Sequence, residues 1–168
     1  MAGRNVPELE TFTFDNGVEV KIRPVSPMLA AEVLKGWRKA NPEPQPPMQE
    51  VDVLGAKRRE PNFDDPEYRL AVSDYQQNAA TNVGILTLRM MIKRGVECKV
   101  DPDAVKQLRE DMAELGAPID PDYDDKYIYV AMFLASSQDE MNRLRDVIMK
   151  RSQPTPEEVN AAKETFRG

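Results

Sequence analysis

From Tyr68 to Met90, one apolar stripe is written into the chain. Tyr68, Val72, Tyr75, Ala79, Val83, Leu86 and Met90 follow one another at intervals of four, three, four, four, three and four. An α-helix turns once in about 3.6 residues, so these side chains fall along a single face. Asp65-Pro66 supplies the start signal, a carboxylate for the N-cap and a proline for the first helical position. The expected helix runs from there to about Lys93, before Gly95. Its second half adds Ile85, Leu88, Met91 and Ile92, so more of its circumference is apolar there. One reading makes it the central helix of a core. The other gives part of its surface, around Leu86 and Met90, to a partner, a use that adaptable Met side chains suit.

Ahead of this helix, Glu10 to Arg23 reads as a β-hairpin around Asp15-Asn16-Gly17. A two-residue loop would set Phe14 opposite Glu19 and mix the faces. A three-residue loop sets Phe14 opposite Val18 and Phe12 opposite Val20, which gathers the apolar residues on one side. That choice requires a type I turn with Gly17 left-handed. A lone hairpin is marginal in water, so its apolar face must cover a helix or join another sheet.

Ser26-Pro27 starts a short helix with Leu29, Val33, Leu34 and Trp37 on one stripe, ending before Pro42. Asp101-Pro102 opens another, bearing Val105, Leu108, Met112 and Leu115, with Gly116 placed to terminate it. Tyr127 to Ala135 is apolar throughout and fits a buried strand or a buried helix. Asp124-Asp125 in front of it favours the helix. Glu140 to Arg151 carries Met141, Leu144, Val147 and Ile148 on one side, after a break at Ser136, Ser137 and Gln138. Thr155-Pro156-Glu157-Glu158 is a capping box for a last helix with Val159, Ala162 and Phe166 on its edge.

The fold class expected is mainly α with a small N-terminal β-hairpin (α+β), its amphipathic helices packed around one long central helix. The expected division is a hairpin plus short helix over 1–40, a Pro-rich linker over 41–64, a helical core over 65–151 and a C-terminal helix or tail over 152–168. The linker rests on the proline density of Pro42 to Pro47, which favours extended backbone, and suits a spacer or an SH3-type ligand. Val51, Val53 and Leu54 give at most a brief strand.

Composition narrows the chemistry. The chain has 168 residues, 23 Lys+Arg against 29 Asp+Glu, and no histidine. Serine or cysteine catalysis through histidine and histidine-ligated metals are thereby excluded. The acidic balance argues against a nucleic-acid partner, and Lys57-Arg58-Arg59 and Lys150-Arg151 are small clusters flanked by acids. A single cysteine, Cys98, cannot form an internal disulfide. Asp120 to Asp125 opens like a calcium loop but carries Asp125 and Ala131 where such a loop needs Gly and Glu. No glycine pattern suits a phosphate or dinucleotide. Met1 to Leu9 has no signal-like apolar region, and Tyr127 to Ala135 is too short to cross a bilayer. The expectation is no enzyme, no cofactor, no metal, no nucleic acid and no membrane.

In order and composition the chain resembles the tail assembly chaperones of long-tailed bacteriophages. The resemblance is carried by the hairpin from Phe12 to Val25, the prolines Pro44, Pro46 and Pro47, the stretch Glu60-Pro61-Asn62-Phe63-Asp64-Asp65-Pro66-Glu67-Tyr68 and the closing Pro154 to Arg167. It implies a non-enzymatic protein made in the cytoplasm of the infected bacterium and absent from the finished virion. Such proteins bind the aggregation-prone tape measure protein while tail tube subunits assemble around it. Tail tube subunits and self-association are further options for partners. The alternatives are a neck or tail subunit retained in the virion and a general helical interaction module. Val159, Ala162 and Phe166 form a candidate partner contact, because so short a helix needs something to pack on, whether a client or its own chain.

Overall fold

A computed structural model of the chain describes residues 9–153. The chain is mainly α with a small antiparallel hairpin near its start. It divides into two compact units. Unit 1 takes the residues up to Leu29 and those from Leu88 onward, and unit 2 is Ala30–Thr87. This differs from the division read in the sequence, because the first hairpin and the late helices share one unit. They do so because the hairpin's apolar face needs the late helices to cover it.

In unit 1, β1 (Glu10–Thr13) pairs with β2 (Glu19–Ile22), with Phe12 opposite Val20 and Thr13 opposite Glu19. Phe14 N–H donates to Val18 O at 2.9 Å and Gly17 N–H to Phe14 O at 2.8 Å, and Gly17 has φ +84°. The apolar register and the left-handed glycine are thus those required by a three-residue loop. Phe12, Phe14, Val20 and Ile22 are buried, whereas Val18 at the turn remains exposed. β2 also pairs with β5 (Val96–Glu97), which follows directly on the long helix α2 (Pro66–Gly95). The hairpin therefore both joins a third strand and covers helices.

Gly95 leaves room for that close approach. A Cβ there would lie 3.1 Å from side-chain carbons of both Ile148 and Val25, and Gly95 O accepts from Arg23 N–H at 2.7 Å. α3 (Pro102–Glu114) starts at Asp101, whose side chain accepts from Asp103 and Ala104 N–H. It ends in a Schellman motif: Ala117 N–H donates to Met112 O, Gly116 N–H to Ala113 O, and Gly116 has φ +75°. α4 (Asp125–Tyr129) is capped by Asp124 and continues into a π-helical turn over Val130–Leu134. The apolar run is therefore helical, with Ile128, Val130 and Leu134 buried. α5 (Gln138–Ser152) begins at Ser137 and buries Met141, Leu144 and Ile148. These side chains, with Met91, Ile92 and Val96, close the core over the first hairpin.

In unit 2, the helix α1 (Leu29–Ala40), whose first residue belongs to unit 1, precedes the extended prolines. The stretch after Pro47, expected to be linker, forms a second hairpin. β3 (Met48–Val53) pairs antiparallel with β4 (Ala56–Pro61). The pairing brings Glu50 opposite Arg59 and Asp52 opposite Lys57, so cross-strand charge pairs, rather than an apolar alternation, favour the second strand.

Candidate functional site

From Pro66 to Leu86, α2 is half-buried only at Tyr68, Val72, Tyr75, Ala79, Val83 and Leu86. The sequence stripe is real, but no member of it is sealed from solvent. On α1, Leu29, Val33, Leu34 and Trp37 are half-buried and the other residues are exposed. The Trp37 and Tyr75 rings lie 5.1 Å apart and tilted by 48°. The Tyr75 hydroxyl donates to Asn41 O at 2.9 Å, and the Asn41 side chain donates back to Trp37 O at 2.9 Å. A groove of about 250 Å³ lies on this face, lined by Tyr68, Val72, Tyr75 and Ala79 with Arg38 and Glu43 beside them. Its walls combine aromatic and aliphatic carbon with polar surface, including Gln76 and one charge of each sign. Such a surface suits the face of an amphipathic segment.

The second hairpin is the other exposed feature of unit 2. Its tip is Leu54-Gly55, with φ of +56° and +82°, the signs a type I′ turn requires at both positions. Leu54 is wholly exposed. A left-handed leucine costs about 1–2 kcal/mol, so its side chain stands in solvent on a strained backbone. The sequence signal was Leu54-Gly55 itself, between Val51, Val53 and the charged run that follows.

Unit 1 places its polar groups differently. Glu140 is fully buried, yet its carboxylate accepts from the Asp15 backbone N–H, from Ser136 N–H at 2.7 Å and from the Ser136 hydroxyl at 2.9 Å. Burial pushes the carboxyl upward, but the hydrogen bonds from Ser136 and Asp15 outweigh it and hold Glu140 below its ordinary range. Arg143 bridges to Asp15 at 2.7 Å and approaches Glu140 at 3.6 Å. This cluster joins the first turn to the start of α5.

The Asp120 to Asp125 loop is held by arginines. Arg109 donates to Tyr123 O at 2.6 Å and pairs with Asp125 at 3.0 Å, while Arg89 donates to Asp122 O and stacks over the Tyr123 ring at 4.1 Å. Lys93 pairs with Asp124 at 3.4 Å, and Lys126 donates to Lys93 O and Val96 O at the end of α2. The aspartates are thus used in loop organisation and capping. Burial pushes the Cys98 thiol up, with Lys126 opposing it, so the thiolate is disfavoured.

Among the described residues, no group of three or more His, Cys, Asp or Glu is placed to hold a metal ion, and no helix is long and apolar enough to cross a membrane. Of the candidate partner residues, Leu86 and Met90 are half-buried on α2, Leu86 in unit 2 and Met90 in unit 1. Val159, Ala162 and Phe166 lie outside the described residues. Sequence reasoning missed the second hairpin and the groove beside Trp37, both of which depend on pairing across loops. Compared with models of known protein families, with curated proteins and with solved structures, the chain matches none.

Proposed function

We propose that the chain is a non-enzymatic tail assembly chaperone of a long-tailed phage, which holds an apolar helical stretch of the tape measure protein while the tail is built. The observation that carries this reading is the incomplete cover of unit 2. Its aromatic and aliphatic stripe is half-exposed along α2, and no residue of Ala30–Thr87 is fully buried. Leu70 and Phe63 add more exposed apolar surface there, at 64% and 61%. A client helix laid on this face would bury apolar area that the chain leaves in water, at roughly 25 cal/mol per Å². The net charge of -6 keeps a protein with such a surface dispersed. The protein acts in the cytoplasm of the infected bacterium and leaves before the virion is complete.

Co-expression with the tape measure protein of the same phage tests this. The chain should raise the soluble yield of that client, and Val72→Asp should abolish the gain. An unchanged client yield, with or without the chain, would reject the chaperone reading. If purified virions contain the chain in stoichiometric amount, the retained structural subunit takes its place.

A further inference from the structure

The second hairpin carries opposite charge on its two edges. β3 holds Glu50 and Asp52, and β4 holds Lys57 and Arg59. The direction of their backbone groups follows from the register. Asn62 N–H donates to Pro47 O at 2.7 Å, which marks that pair as hydrogen-bonded. Bonded and non-bonded pairs alternate along an antiparallel ladder. Gln49 with Glu60, Val51 with Arg58 and Val53 with Ala56 are therefore the bonded pairs. Glu50, Asp52, Lys57 and Arg59 turn their N–H and C=O groups outward. Apart from Met48 and Pro61 at the open end, the free backbone groups of one edge thus belong to acids and those of the other to bases. All of β4 is exposed. A ribbon of two strands is marginal in water, and open edges of this kind accept a further strand.

We propose that this hairpin pairs with the same hairpin of a second copy, β4 of one against β3 of the next, antiparallel. Arg59 then faces the partner's Glu50 and Lys57 faces the partner's Asp52. Each pair exchanges backbone hydrogen bonds and sets opposite charges side by side. The symmetric alternatives either bring like charges together or lose bonds. Antiparallel β3 on β3 sets acid on acid when Glu50 meets Glu50 or Asp52, or when Asp52 meets Asp52, and the remaining register, Glu50 on Met48, keeps only those two positions within the strand. β4 on β4 sets base on base when Arg59 meets Arg59 or Lys57, or when Lys57 meets Lys57, and the remaining register, Arg59 on Pro61, puts Arg59 opposite a residue with no N–H. The favoured contact is head to tail, so it builds a ring or an open row rather than a closed pair. Pro61 has no N–H to donate and ends the ladder on one side, and the Leu54-Gly55 turn ends it on the other.

Sedimentation velocity on the full chain over a concentration series tests the proposal. The wild-type species should grow with concentration and shrink as salt screens the charge pairs. Arg59→Pro removes an outward N–H and leaves the bonds within the hairpin in place, so association should weaken by about tenfold with an unchanged far-UV CD spectrum. K57E/R59E makes both edges acidic and should also abolish association, and adding E50K/D52K to the same chain should restore it. That charge-swap pair decides the matter if the proline variant misfolds. A wild-type chain that stays monomeric at every concentration overturns the proposal. So does wild-type association in a folded Arg59→Pro variant, or a full swap that fails to rescue.

Discussion

Along α2, one periodic pattern meets two different surroundings. From Tyr68 to Leu86 its apolar positions are half-covered, whereas Met91, Ile92 and Gly95 near its end are buried. The same contrast separates the two units. Unit 1 holds every fully buried apolar residue among those described, including Ile22, Ile92, Val130, Leu144 and Ile148 at zero exposure. Unit 2 holds none. The stripe keeps its helical spacing from Tyr68 to Met90, yet none of its members is buried, so spacing alone does not decide burial. What decides it is how many elements converge. In unit 1 a hairpin, a third strand, the π-helical turn and α5 meet the end of α2 in one cluster. In unit 2 the longer part of α2 has beside it one short helix, a proline run and a two-stranded ribbon, too few layers to enclose a core. A sealed part gives a defined fold, and an unsealed part leaves apolar surface for another molecule.

The strongest challenge to that comparison is a pair of truncations. Leu144→Ala, in the sealed cluster, should cost about 2–5 kcal/mol in chemical denaturation. Val72→Ala, on the half-covered stripe, should cost less, about 1 kcal/mol, because part of its surface stays in water after folding. Equal costs would erase the distinction between the units.

Next in size is Glu140. Replacing it with Gln removes a charged acceptor from the Asp15 and Ser136 N–H groups and should destabilise unit 1 by about 1–3 kcal/mol. The folded carboxyl titrates below its unfolded value, so the unfolded chain binds the extra proton first as pH falls. Its contribution is whole above the ordinary glutamate range and is lost as pH drops through the depressed folded value. Glu140→Gln should therefore flatten the acid limb of a stability–pH curve and leave the neutral-to-alkaline limb unchanged in shape.

The smallest effect sharpens the picture of unit 2. Leu54→Asn places a residue that tolerates the left-handed region at the first turn position, next to Gly55. It should stabilise the second hairpin by up to about 1 kcal/mol, read as slower amide exchange in β3 and β4. A loss of protection there would mean that the leucine side chain, not its backbone, holds the turn.

Much of this architecture was legible because it is local. The Asp65-Pro66 start, the Gly17 turn and the Gly116 stop each depend on residues within a few positions, and each lies where its chemistry put it. The apolar face widens from Ile85 onward, and α2 enters the core at Met91 and Ile92, two of the residues that widen it. β4 was illegible because Ala56-Lys57-Arg58-Arg59-Glu60-Pro61 has no apolar alternation, and its strand state rests on pairing with β3. β5, only two residues long, exists because β2 lies beside it. The Glu140 cluster joins residues more than a hundred positions apart, and no spacing rule foreshadows that. Of the candidate site, the stripe was visible in full, while the groove needed Asn41 and Glu43 to be brought to Tyr75 and Tyr68.

Native-state hydrogen exchange, resolved by peptide, tests the central claim most directly, since it reads opening free energy segment by segment. The account predicts strong protection in β2, the end of α2 from Met91 and α5, and fast exchange in α1 and in α2 from Pro66 to Leu86. Addition of the client should then slow exchange in that second group. Uniform protection along the whole of α2 in the isolated chain would contradict it, because the helix would then be sealed over its full length.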